Sequence, residues 1–61
     1  MTTYRFYFFD GADHIQEAEE HELADDRVAM DHGMAISAHH VGHAMEIRQG
    51  ARLVHRYKMT P

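Results

Sequence analysis

The chain has 61 residues. A domain of about 60 residues buries only roughly 60% of the surface that its unfolded form exposes, so a deep enclosed active site is hard to build. There is no cysteine, which excludes disulfides, thiolate zinc sites and iron–sulfur clusters and leaves oligomerisation or a histidine-based metal as reinforcement. The net charge of −4 with neutral histidines opposes binding to nucleic acid, which depends on neutralising phosphates.

Tyr4-Arg5-Phe6-Tyr7-Phe8-Phe9 opens the chain as a strand, because aromatic side chains fit a pleated, half-buried surface. Alternation puts Tyr4, Phe6 and Phe8 on one side and Arg5, Tyr7 and Phe9 on the other, so both faces are aromatic and the strand is expected to be central. Asp10-Gly11 follows as a turn signal. His14 to Glu22 then reads as a polar strand, crowded with Glu17, Glu19, Glu20 and Glu22. Such charge suits a sheet edge, where it discourages aggregation.

Asp25 or Asp26 is the natural N-cap of a helix running to about His40, with Gly42 as its stop. At about 100° per residue, Ala29, Met30, Gly33, Ile36 and His40 share one face. Met34, Ala38 and Val41 lie on a second apolar side, which is more than one sheet-covering face requires. The internal Gly33 suggests close approach to another backbone. Ala44–Gln49 and Arg52–Lys58 complete a hairpin around Gly50-Ala51.

The expected fold is therefore α+β, a four-stranded antiparallel sheet with one helix on one face. Its elements run β-β-α-β-β; placing strand three beside the central strand one gives the sheet order 2-1-3-4, and the right-handed crossover rule puts the helix on one face. Residues 1–61 form a single domain in this reading. The second sheet face has no helix left to cover it. Together with the second helix face, it predicts an interface supplied by Met34, Ala38, Val41, Leu53 and Tyr57.

Charge is unevenly placed. Residues 1–31 hold nine of the ten acids with only Arg5 and Arg27, and the remainder holds Glu46 against Arg48, Arg52, Arg56 and Lys58. The two halves either face each other within one fold or support head-to-tail self-association. Four cations and Tyr57 on an acidic chain are too few to make nucleic acid an expected partner. No apolar run approaches the roughly 18 residues of a membrane span. The start, Met1-Thr2-Thr3-Tyr4-Arg5, lacks a signal-peptide pattern, so the expected location is cytoplasmic.

Seven histidines stand out: His14, His21, His32, His39, His40, His43 and His55. Imidazole binds zinc, copper or nickel. His39 with His43, or His40 with His43, would share adjacent helical turns if the helix reached residue 43. His39, His40 and His43 are the candidate metal ligands, although no resident cofactor is expected and zinc or nickel capture would be adventitious. Protonating all seven would reverse the sign of the net charge, which makes a pH-sensing role the alternative to simple binding.

His21-Glu22-Leu23-Ala24-Asp25 misses the H-E-x-x-H zinc motif at its last position. Ser37 is the only serine and has no acid placed to orient a histidine base. No catalytic residue is expected. The leading expectation is a non-enzymatic protein-binding or regulatory domain acting through a homodimer or partner interface.

The run Tyr4-Arg5-Phe6-Tyr7-Phe8, Asp10-Gly11, Glu19-Glu20 and Ala24-Asp25-Asp26 resembles a family of short uncharacterised alphaproteobacterial proteins. So does the later run from His43 to Val54. The resemblance covers residues 4–56 and implies a small α+β domain with no established activity. A fainter likeness in element order, to antitoxin domains of the HicB kind, implies capture of a protein partner.

Overall fold

The computed structural model describes residues 1–39 and 42–58. Strand β1 spans Thr2–Phe9, β2 Ile15–Leu23, helix α1 Asp26–Ser37, β3 Ala44–Gln49 and β4 Arg52–Lys58. The sheet order is β2-β1-β3-β4, and every neighbouring pair is antiparallel. This is the expected α+β architecture.

The aromatic alternation of β1 sets the core. Tyr4, Phe6 and Phe8 are buried, and register places Ile47 opposite Phe6 and Met45 opposite Phe8. Ala29 of α1 completes this cluster, and Leu23, Met30, Ile36, Val54 and Tyr57 pack around it. The expected inner helix face is thus the one that meets the sheet.

Gly33 marks the closest approach. A Cβ there would lie 2.9 Å from Ile47 Cδ1, 3.0 Å from Met45 Cε and 3.4 Å from Tyr57 Cε2. The glycine admits β3 and β4 side chains rather than another backbone.

Local chemistry fixes the helix start. The Asp25 carboxylate accepts the Val28 amide at 2.9 Å, satisfying one of the first-turn donors. The helix stops at Ser37, short of the expected His40 and of Gly42. Ala38 caps it, and the His39 amide donates to the Ile36 carbonyl at 3.0 Å in a tighter turn.

The first connection also differs from a simple Asp-Gly turn. Asp10 Oδ1 accepts the amides of Ala12 and His14, both at 2.9 Å, and the Asp10 amide donates to the His14 carbonyl. The residue at positive φ is Asp13 (61°), which a short polar side chain tolerates, and not Gly11. In the second hairpin Gly50 takes φ 61° as expected of a glycine-first two-residue turn. A β-bulge between Ile47 and Arg48 leaves Val54 as the extra residue, and Val54 packs against the core.

Gly33→Leu is expected to destabilise the fold by about 1–3 kcal/mol through overpacking. In Gly33→Ala a smaller clash opposes about 1 kcal/mol of helix propensity, leaving it close to neutral. Urea midpoints of both variants check this; equal stabilities of Gly33→Leu and the parent would contradict it.

Candidate functional site

Three arrangements of polar side chains and one apolar patch stand out. The first ties the helix start to two strands. Tyr4 Oη donates to Asp26 Oδ1 at 2.8 Å, and Arg52 grips the same carboxylate with both terminal nitrogens at 2.9 and 3.0 Å. The two-pronged Arg52 contact, followed by the Tyr4 hydroxyl, holds the Asp26 carboxyl at about 2, below its ordinary 3.8. Burial and then the Asp26 carboxylate push the Tyr4 phenol upward. Sequence reading offered Asp26 only as a cap; its pairing required the register that brings residues 4, 26 and 52 together.

The second is a pair of imidazoles between β2 and α1. His21 lies opposite Tyr4 in register, so it turns inward beneath the helix. Its ring meets that of His32 edge-on at 4.5 Å between centroids, and each meets Phe6 at 5.5 Å. His21 Nε2 lies 2.8 Å from Glu19 Oε1. His32 Nε2 is buried and has no hydrogen-bond partner among the described residues. The i, i+2 spacing of Glu19 and His21 signalled a shared strand face, but nothing local signalled which face was covered.

The third covers the open sheet face. Glu46 is only 8% exposed, although no helix lies above it. Arg48 Nε donates to Glu46 Oε1 at 3.0 Å, and Arg56 donates to Oε2. The Arg56 guanidinium also sits 5.3 Å from the Phe9 ring centroid and 3.5 Å from Asp13. Arg5 and Glu20 approach at 3.8 Å beside a shallow depression of about 300 Å³ lined also by Thr3, Tyr7 and Gly50. The face expected to lack a covering helix is therefore partly covered by its own charged side chains, because long arginine stems cover aromatic surface while their heads stay hydrated, and Ile15 and Leu53 remain exposed on it.

The expected interface residues separate. Met34 is 62% exposed on the outward side of α1, and Ala38 is exposed just beyond its last turn. Leu53 is 47% exposed and lies opposite Arg48 on the open face. Tyr57, expected on that face, instead faces the helix. It pairs with Met45, and its hydroxyl donates to the Met30 carbonyl at 3.0 Å. The β4 bulge alters the alternation that would have been counted from Leu53. Val41 lies outside the described residues.

The expected metal pair also separates. With the helix ending at Ser37, His39 and His43 do not occupy adjacent helical turns. His39 is exposed in the turn after α1, and the His43 amide donates to the Phe9 carbonyl at 2.7 Å, entering β3. His40 lies outside the described residues. Among the described residues, no group of three or more histidine, aspartate or glutamate side chains is placed to hold a metal ion.

No described helix is long and apolar enough to cross a membrane. Comparison with known protein families, curated proteins and solved structures gives no match.

The Asp26 arrangement predicts a specific acid response. Its carboxyl binds a proton less readily folded than unfolded, so its stabilisation is present above about 3.8 and is lost as pH falls toward about 2. The stability gap between the parent and Asp26→Asn should be widest above pH 4 and shrink toward pH 2. Urea midpoints across that range check the sign; a gap that widens in acid would contradict it.

Proposed function

We propose that this chain is a non-catalytic protein-binding domain that acts as a homodimer or on a protein partner. The observation that carries this reading is the apolar surface left outside the core. Met34 is 62% exposed on α1, with Ala38 extending its side of the helix, and Val28 is 40% exposed on an adjoining side. A short chain gains stability by burying such surface against another molecule. Leu53 offers a smaller contact beside Arg48. Both resemblances noted in the sequence are compatible with binding, and a cytoplasmic location suits the cysteine-free composition.

Sedimentation of the full chain with and without chelator tests the reading. The expected result is a mass above the monomer that ignores chelator and falls in Met34→Lys. A chain that stays monomeric at every concentration overturns the homodimer.

A second reading has its own observation, the imidazole pair at the β2–α1 contact. Charging both rings would set two cations side by side, with Glu19 on β2 as the neighbouring carboxylate and the Phe6 ring on β1. This supports a pH-sensing role in which acid loosens α1 from β2. Hydrogen exchange at pH 8 and pH 5.5 checks it. Protection of α1 should fall in acid and be retained in His32→Phe; equal losses in the parent and the variant would remove this reading.

A further inference from the structure

The strand order puts the two charged strands at opposite edges of one sheet. β2 carries Glu17, Glu19, Glu20 and Glu22 and no lysine or arginine. β4 carries Arg52, Arg56 and Lys58 and no aspartate or glutamate. β2 pairs with β1 on one side and β4 with β3 on one side, so each presents an outer row of backbone donors and acceptors. Edge strands of this kind are templates for pairing with another chain.

We propose that β4 of one copy pairs with β2 of a second copy, extending the sheet head to tail. This deepens the binding-domain reading, on which it rests, by naming a second copy of the chain as the partner and the sheet edges as the surface.

Direction supports the pairing. Because each neighbouring pair is antiparallel, β2 and β4 run in opposite senses. A copy moved sideways along the sheet without being turned over brings its β2 antiparallel to β4 and keeps both helices on the same face.

Charge selects this contact over the symmetric ones. A two-fold β2–β2 contact would set four glutamates against four, and a β4–β4 contact would set cations against cations. Like charges directly opposite one another on paired strands are destabilising. In the β4–β2 contact, register puts Glu20 and Glu22 of one copy on the same face as Arg56 and Lys58 of the other. On the helix side, Glu17 and Glu19 share a face with Arg52. Several of these groups already have partners within the chain, among them Arg52 with Asp26 and Arg56 with Glu46. Those internal pairs reach toward α1 and β3, so a second copy meets the positive charge of β4 as a whole.

A contact between two different edges leaves a free β2 at one end and a free β4 at the other. It therefore produces a growing series of assemblies unless the rotation closes a ring. Exposed ion pairs are weakened by salt, so this association is strongest at low ionic strength, whereas a helix-face apolar contact persists in salt.

The test is sedimentation velocity of the full chain at low and high salt, with two double variants. Glu20→Lys with Glu22→Lys reverses the open-face charge of β2. Leu53→Glu with Lys58→Glu reverses the open-face charge of β4 and replaces neither Arg52 nor Arg56. Circular dichroism confirms that each variant is folded. The expected result is a parent mass that rises with concentration and falls with salt, loss of that association in each variant alone, and its return when the two folded variants are mixed. A mixture that stays monomeric overturns edge pairing. So does association that ignores salt and both reversals, which instead leaves the contact on the helix face and the binding-domain reading intact. A parent that is monomeric under all conditions overturns edge pairing and the homodimer together.

Discussion

The seating of α1 on the sheet at Gly33 governs the rest of the structure. One helix must cover the inward residues of four strands, and it can do so only by coming close enough for Ile47, Met45 and Tyr57 to pack where a side chain would otherwise stand. The Asp26–Tyr4–Arg52 cluster fixes one end of that contact. The His21–His32 contact lies further along the helix. Helix position is thus set by one absent side chain, the Asp26 cluster and the imidazole contact.

The opposite face solves the same shortage by other means. Among the described residues no second helix covers it, yet Glu46 is buried there beneath Arg48 and Arg56. Removing a charge from water is costly unless it is paired and hydrogen-bonded, and both oxygens of Glu46 have guanidinium partners. The roof is partial, since Ile15 and Leu53 remain exposed on this face, and the case for association rests also on the outward side of α1 and on the sheet edges. At those edges the chain presents acid on one rim and base on the other, a polarity that the fold creates from the unequal charge of its two halves.

Much of the architecture was legible before any contact was known. The aromatic alternation of residues 4–9 specified a central strand, and the glutamates of residues 17–22 specified an edge. Placing strand three beside that central strand then gave the sheet order. The helix end was less legible, because Ser37, Ala38 and His39 carry no decisive stop signal and the tighter closing turn depends on backbone bonding. The side occupied by Tyr57 was hidden by the bulge opposite Arg48, since one extra residue reverses a count by twos. The candidate metal pair depended on the helix end and lost its helical spacing with it.

By itself, the sequence determined the kinds and order of the elements, the inward aromatic row and the opposite charges of two strands. These follow from periodicity and composition, which act over a few neighbouring residues. Only the tertiary structure decided that Asp26 would meet Arg52, that His32 would meet His21, and that Arg48 and Arg56 would close over Glu46. Each of those meetings depends on register between strands or on the rotation of the helix over the sheet. Both are set by the packing of the whole core and not by any one segment. The limit imposed by 61 cysteine-free residues is thereby met in two ways, by charge networks within the chain and by the close seating of the helix at Gly33.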